Sequence, residues 1–325
     1  MSFYKEVKEV KMQVYRTISE KLQELKGSYV SLGKFDGVHL GHSMLIKRCV
    51  DEAVINKSPS VVYTFSPYPE QIFFPDSFNG YITSSELKEQ FLKEYGVEAL
   101  INHPFTKEFS QKSSEEFVRD YLVYYLSPKK VFVGFNFSFG RNAAGNPQVL
   151  EELGAKYGFE VHMEPPVIYN NMPISSSKIR KLLEAGDIVS AKDMLGYWPI
   201  IEGKVVPGDK IGRTIGFPTA NLLIKADIVL PKKGVYATYI KIDGHSYKSV
   251  TNIGYKPTFN GKVLKVETHI FDFSESIYDK NVQLAFIQRI RDEKKFASVQ
   301  ELKQQMSKDV LKAKMVIKEK YVIKY

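Results

Sequence analysis

Between Ser28 and about Met163 the chain alternates short runs of β-branched and aromatic residues with longer stretches whose apolar residues recur at helical spacing, and no other feature narrows its fold so much. A strand that leaves through a helix and returns to the same sheet makes a βαβ unit. The rhythm therefore predicts a parallel sheet, with right-handed crossovers stacking helices on both faces. The expected strands are Tyr29–Leu32, Ser60–Phe65, Ala99–Asn102, Lys130–Val133 and Glu160–Met163. Between them, Ser43–Asn56, Ser85–Tyr95, Ser113–Leu126 and Pro147–Tyr157 carry the helical pattern. Two more helices, Ser176–Glu184 and Ile188–Leu195, are separated by Ala185-Gly186-Asp187, where glycine stops one and aspartate caps the next.

After Gly196-Tyr197-Trp198-Pro199 the texture changes to short strands with frequent turns: Ile200–Val206, Gly234–Ile242, Ser246–Asn252, Leu264–Phe271 and Asn281–Arg291. That reads as a small antiparallel barrel or sandwich. Lys294 to the end returns to helical spacing, with Phe296, Val299, Leu302 and Met306 on one stripe. A chain of 325 residues exceeds what one hydrophobic core usually supports, so two domains are expected, 1–198 and 199–325, meeting near Trp198.

Composition excludes several classes. Hydrophobic residues at 43% and charged residues at 26% belong to a folded protein, not to a disordered one. The single cysteine, Cys49, can form no internal disulfide, which points to a reducing compartment. Met1–Val10 alternates Lys and Glu without an apolar core, so neither a signal peptide nor an anchor is expected there, and no apolar run is long enough to span a bilayer. A cytoplasmic protein is expected. The net charge of +9 suits an anionic partner, which could be a polyphosphate, nucleic acid or an acidic membrane. Because the lysines are spread among glutamates and no helix-turn-helix, zinc-finger or aromatic RNA-binding signature occurs, neither nucleic acid nor membrane is expected as a partner. The expected state is a monomer or weak oligomer.

The first chemically suggestive segment follows the first strand: Gly33-Lys34-Phe35-Asp36-Gly37-Val38-His39-Leu40-Gly41-His42 ends where a helix begins. In a doubly wound sheet ligands sit at the C-terminal ends of strands, and a helix N-terminus offers free amides and a positive dipole end to phosphate. His39 and His42, three apart, can share one side of the first turn and donate hydrogen bonds to phosphate oxygens. Gly33, Gly37 and Gly41 let backbone approach an anion. Zinc would want further Cys or His ligands, which do not appear nearby; a pair of core histidines is the plainer alternative. Further on, Ile174-Ser175-Ser176-Ser177-Lys178-Ile179-Arg180 sets hydroxyls before a helix. Alone these are ordinary caps, but with Lys178 and Arg180 the turn can bind outer phosphates of a nucleotide.

The second segment is Gly203 to Asn221, with glycines at 208, 212 and 216 and the run Phe217-Pro218-Thr219-Ala220-Asn221. No Gly-Lys-Ser/Thr follows, so it is not a Walker loop; it could fold over phosphates through main-chain amides, or be a hairpin loop. Thr219 and Asn221 offer neutral oxygens two residues apart, on one face if extended, which suits magnesium shared with phosphates. Downstream, Val266-Glu267-Thr268-His269 places an acid inside a β-prone run. It either faces solvent or points into a cleft, where it could take the proton of an attacking hydroxyl.

The His39–His42 turn with Ser175–Arg180 resembles the Rossmann-like nucleotidyltransferase superfamily. The glycine loop with Pro218–Asn221, Gly234-Val235-Tyr236, the Asn252 segment and Val266–His269 closely resemble riboflavin kinase. In this order the motifs resemble the prokaryotic bifunctional riboflavin kinase/FAD synthetase (FMN adenylyltransferase) family over nearly the whole chain. The resemblance implies an N-terminal α/β nucleotidyltransferase domain, Rossmann-like with a parallel sheet, and a C-terminal all-β domain, a six-stranded antiparallel β-barrel with a terminal helix.

By the same resemblance the chain turns riboflavin and ATP into FMN and ADP, then FMN and ATP into FAD and pyrophosphate. ATP would meet Gly33, Phe35, Gly37, Gly41, Ser176, Ser177, Lys178 and Arg180 in the first domain, and Gly208, Lys210, Gly212 and Thr219 in the second. His39 and His42 would stabilise the transferring phosphoryl group, Thr219 and Asn221 would hold Mg2+, and Glu267 would be the base. Asn136, Phe217 and Arg291 would contact flavin, Arg291 from a flap.

The departures from the family pattern all lie in the N-terminal half. Lys34 stands in place of an Asn, Ser66 and Tyr68 in place of an Asp and a His, Asn136 and Ser138 in a pattern that normally carries Asp and Arg, Asn146 for an Asp, and Ser177 for a Thr. They leave a second reading, a riboflavin kinase whose first domain is slow or only structural. A flavin-binding regulator without either activity is a third.

Overall fold

The structure, a computed structural model, describes residues 12–208, 211–225, 227–258 and 261–317. The start Met1–Val10, Lys210 and the last residues of the C-terminal helical pattern lie outside the described residues. The chain forms two compact units. One contains the described residues up to Phe78 together with Ser85–Ile174; the other contains Asn79–Ser84 and the described residues from Ser175 onward.

The first unit is a sheet of six strands, β1 (Gln13–Tyr15), β2 (Tyr29–Leu32), β3 (Ser60–Ser66), β4 (Ala99–Pro104), β5 (Lys130–Gly134) and β6 (Glu160–Glu164), in the order β1-β4-β3-β2-β5-β6. Every neighbouring pair is parallel, as the βαβ rhythm predicts. The helical segments are α1 (Leu40–Ile55), α2 (Pro69–Phe73), α3 (Ser85–Glu94), α4 (Ser114–Phe117), α5 (Tyr124–Leu126) and α6 (Pro147–Tyr157). Between α4 and α5 the chain winds as a π-helix over Val118–Val123, so the expected Ser113–Leu126 helix is continuous but locally widened.

Side chains alternate across a strand, and both sets are buried. Val30, Leu32, Val61, Tyr63, Ala99, Ile101, Val131 and Val133 pack with Phe117, Leu122, Leu126 and Leu150 in one core. On the opposite face, Ser31 is fully buried, as is Cys49 of α1, which runs over that face. Helices thus cover both faces, which is why these strands read as near-continuous apolar runs. β1 was not expected, because three residues next to a charged start give almost no pattern; pairing with β4 makes it a strand. A two-residue turn at Asn170-Asn171, both left-handed, joins a further hairpin, β7 (Ile168–Tyr169) and β8 (Met172–Pro173).

The second unit opens with α7 (Ser176–Ala185) and α8 (Ile188–Leu195), joined at Gly186, which is left-handed at φ 80, and Asp187, which caps α8 by accepting from the Ser190 amide. Then come β9 (Ile200–Val206), the short α9 (Ile211–Thr214), β10 (Ala220–Ile224), β11 (Gly234–Ile242), β12 (His245–Thr258), β13 (Gly261–Ile270), β14 (Asn281–Arg291) and α10 (Val299–Val316). The six strands close into an antiparallel barrel in the order β10-β13-β12-β11-β14-β9. β10 was missed in the sequence: its Ala-Asn-Leu-Leu-Ile run has weak strand propensity, and its two neighbours supply what the propensity lacks.

Inside the barrel a chain of hydroxyls replaces part of the apolar core. Thr238 bonds Ser249 and Thr251 at 2.8 Å each, and Thr251 bonds Thr268 at 2.9 Å, all of them fully buried. The terminal helix starts later than its apolar stripe suggested. Ser298 caps it by accepting from the Glu301 amide, so Phe296 precedes it, and Val299 is 62% exposed; Asp309 and Ala313 are buried instead.

Candidate functional site

In the barrel, antiparallel register decides which side chains share a face. Asn221 of β10 is opposite Glu267 of β13, Glu267 is opposite Asn252 of β12, Asn252 is opposite Val235 of β11, and Val235 is opposite Arg291 of β14. Directly opposed residues point to the same side of a sheet. The run Asn221, Glu267, Asn252, Val235, Arg291 is therefore one row across five strands. Val266, Thr268 and Ile270 fill the interior, which puts Glu267 on the outer wall, partly shielded from water.

The glycine loop lies against this row. A Cβ on Gly208 would overlap the Asn221 carboxamide, and one on Gly212 would strike the Phe217 carbonyl and come within 3.4 Å of the Thr219 hydroxyl. Phe217 donates its amide to the Gly212 carbonyl at 2.7 Å, closing the loop. His269 donates from Nδ1 to the Pro218 carbonyl at 2.8 Å and meets the Phe217 ring edge to face. The segment that presents Thr219 and Asn221 is thus tied to the strand that carries Glu267. Neutral hard oxygens such as these fit a magnesium ion that shares phosphate oxygens, and Gly208 leaves the space the carboxamide occupies.

Arg291 is not free. Its guanidinium pairs with Asp309 of α10 through Nε at 3.0 Å and Nη2 at 2.7 Å, and Nη1 donates to the Asp292 carbonyl. The carboxylate, 6% exposed, also accepts from Gln305. The residue stands at the end of the row, with its charge engaged by the helix.

In the first unit, the strand order reverses between β2 and β5, and the loops leaving both strands flank that switch point, the usual ligand crevice of such sheets. After β2 the chain makes a tight turn: Phe35 is left-handed at φ 51, Gly37 at φ 76 and Val38 at φ 32, and α1 then begins. A Cβ at Gly33 would sit 3.0 Å from the Phe35 ring, so the ring would have to give by a few tenths of an ångström to admit one. His39 caps α1, Nδ1 accepting from the His42 amide at 3.4 Å, and the two imidazoles stack with centroids 3.6 Å apart. Gly41 packs on His39, and Phe35 meets His42 edge-on at 5.3 Å.

Burial holds His39 down to about 4, and burial, then the charges of His39, Lys88 and Lys34, hold His42 well below the ordinary histidine value. Both rings are therefore neutral at pH 7. With Nδ1 of His39 accepting, its proton is on Nε2, a donor for an anion. Nδ1 of His42 is buried and has no hydrogen-bond partner among the described residues. Gly33, Phe35, Gly37, His39, Gly41 and His42 thus come together as the sequence suggests, and no group of three or more His, Cys, Asp or Glu among the described residues could hold a metal there.

The remaining expected residues are placed as follows. Ser176, Ser177, Lys178 and Arg180 lie on α7 of the second unit, where Ser175 caps the helix by accepting from the Lys178 amide and Arg180 donates to the Gly80 carbonyl at 2.9 Å. Asn136 and Ser138 are exposed in the loop after β5. Asn146 caps α6, accepting from the Val149 amide at 2.9 Å, so the change from an acid keeps the cap. Lys88 was overlooked: a lysine in a helical stretch normally reads as solvated, yet it is buried beneath the Lys34–His42 turn.

A family model described as FAD synthetase matches residues 21–178, and one described as riboflavin kinase matches residues 195–317. Among curated relatives, the bifunctional riboflavin kinase/FMN adenylyltransferase of Haemophilus influenzae is 34% identical over 304 residues, covering 93% of this chain and 98% of that one. The protein of the same name from Escherichia coli K12 is 35% identical, over 91% and 94% of the two chains, and that of Bacillus subtilis 35%, over 88% and 92%. A crystal structure described as a macrolide-efflux protein from Streptococcus pneumoniae superposes with TM-score 0.82 at 32% identity, covering 91% of this chain and 97% of that one. Efflux is said of that protein; no helix among the described residues here is long and apolar enough to cross a membrane.

Proposed function

The chain belongs to the bifunctional riboflavin kinase/FMN adenylyltransferase family, and from that premise we propose that it makes FMN and ADP from riboflavin and ATP, then FAD and pyrophosphate from FMN and ATP. The kinase step is assigned to residues 199–325 and the adenylyl step to residues 1–198.

The observation that carries the kinase reading is the row on the barrel wall, where Glu267 stands between Asn221 and Asn252. Glu267 takes the proton of the terminal ribityl hydroxyl as that oxygen attacks the γ-phosphorus and ADP leaves. Thr219 and Asn221 hold Mg2+, and Gly208 and Gly212 bring main chain over the phosphates. The ion, when bound, neutralises charge on the triphosphate. Lys210 and Phe217 complete the ATP and flavin contacts. Arg291, fixed by Asp309, orients the row's far end toward flavin.

For the adenylyl step, neutral His39 and His42 donate to the α-phosphate as an FMN phosphate oxygen displaces pyrophosphate, with no side chain acting as nucleophile. Phe35 and Gly37 shape the turn. Ser176, Ser177, Lys178 and Arg180 are assigned to nucleotide phosphates and Asn136 to flavin. The enzyme is read as cytoplasmic, a monomer or weak oligomer acting on small molecules without nucleic acid.

The test is to incubate the protein with riboflavin, ATP and magnesium and separate the flavins by chromatography. FMN and FAD together support both assignments. FMN alone leaves the kinase and removes the adenylyl step, and unchanged riboflavin overturns the reading.

A further inference from the structure

One main-chain carbonyl in the first unit receives an unusual set of donors. The oxygen of Lys34 accepts from Tyr68 Oη at 3.0 Å, Thr64 Oγ1 at 3.1 Å and Lys88 Nζ at 3.3 Å. Lys88 Nζ also bonds Tyr68 Oη at 3.1 Å and lies over that ring, 5.0 Å from its centroid. The donors come from three places, β3, the segment after it, and α3. A carbonyl has two lone pairs, so this one is more than saturated. The peptide it belongs to leads into Phe35, a left-handed residue bearing a side chain, a conformation that persists only where its surroundings enforce it.

We propose that Lys88, Tyr68 and Thr64 latch the Lys34 carbonyl and so hold the Gly33–His42 turn in the course that aligns His39 and His42, making Lys88 a positioning residue for adenylyl transfer. The proposal rests on the adenylyltransferase reading for its catalytic part only. It also accounts for Tyr68: its hydroxyl reaches across to the carbonyl of Lys34, while the ammonium of Lys34 turns outward to Glu70. Burial lowers the Lys88 ammonium to about 8, with the nearby Asp36 carboxylate opposing the fall, so the latch is mostly charged at neutral pH.

Two readouts separate a latch from ordinary packing. The first is hydrogen exchange of the peptide spanning Phe35–His39, which needs no catalysis. Lys88→Met keeps the aliphatic stem and removes the cation; it should speed exchange there about tenfold or more and leave β5 and β6 unchanged. Tyr68→Phe, milder in folding cost, should speed it less. The second is steady-state FAD formation from FMN, where Lys88→Met should lower kcat by about 10- to 100-fold with KM for ATP changed less, Lys88→Arg should recover part of it, and FMN formation should be unchanged. Unaltered exchange in both Lys88→Met and Tyr68→Phe overturns the latch. Faster exchange with normal kcat overturns the positioning role. If wild-type protein makes no FAD, the adenylyltransferase reading has failed separately, and exchange alone decides the latch; if Lys88→Met fails to fold, exchange and kcat of Tyr68→Phe decide it.

Discussion

Acidification should loosen the first unit before the second. His39 is held down to about 4 by burial, and His103, buried beside Tyr63 and the Phe109 and Tyr121 rings, is also held down to about 4; an unfolded chain restores both to 6.5. Folded pKa values below the unfolded ones mean that the unfolded state binds more protons between about 4 and 6.5, so stability falls as pH falls through that window. From pH 7 to pH 5 each group costs about 2 kcal/mol, about 4 kcal/mol together, a large share of the few to fifteen kcal/mol by which domains are stable. His42, shifted the same way, adds to the loss; Lys88, lowered only to about 8, is protonated throughout and adds nothing.

The assay is urea unfolding at both pH values, followed by exchange protection of β3 and β4 amides for the first unit and by emission of Trp198, the single tryptophan, for the second. The first midpoint should drop substantially and the second less, since all three histidines lie in the first unit. His103→Phe should remove about 2 kcal/mol of the loss, no more than a third of the pH dependence if His42 contributes at least as much. Equal midpoints at pH 7 and pH 5, or a full slope in His103→Phe, would refute the reasoning.

Three substitutions test the barrel. Glu267→Gln should keep riboflavin binding, measured by flavin fluorescence quenching, while FMN formation falls by about 100- to 10,000-fold; normal turnover removes Glu267 from the mechanism. Gly208→Ala drives a methyl into the Asn221 carboxamide, so FMN formation should fall by about tenfold or more while FAD formation from supplied FMN is spared, checked by the same chromatography. Asp309→Ala strands the Arg291 guanidinium and should cost about 3 kcal/mol of barrel stability, read as a lower Trp198 unfolding midpoint in urea.

Much of this architecture is legible in the sequence for a physical reason. β2, β3 and β5 are buried on two faces, so their residues must be apolar almost without interruption, and the glycines after β2 mark a turn before a helix; that Phe35 and Val38 are left-handed beside Gly37 was not legible, because the surroundings and not the residue type enforce it. Glu267 and Asn221 could be named from their motifs, but that Asn252 and Arg291 share their row depends on barrel register, which pairs residues far apart in sequence. Lys88 was hidden because its helix also carries charges that do face water. Val299 misled in the opposite sense: it fits the apolar stripe of the terminal helix and is exposed.

The segment Asn79–Ser84 gives the molecule an awkward genealogy. Tyr81 exchanges main-chain bonds with Asp227 and Val229 at 2.7 and 2.9 Å, Gly80 accepts from Arg180, and Ser84 bonds Glu202, so six residues encoded in the first third of the chain are built into the unit that contains the barrel. A protein engineer who excises the barrel as a contiguous fragment leaves this staple behind and uncovers the amides and carbonyls it satisfied. During synthesis, too, the staple leaves the ribosome long before the strands that receive it, so the later unit reaches its final form only by reaching back for a piece of the earlier one.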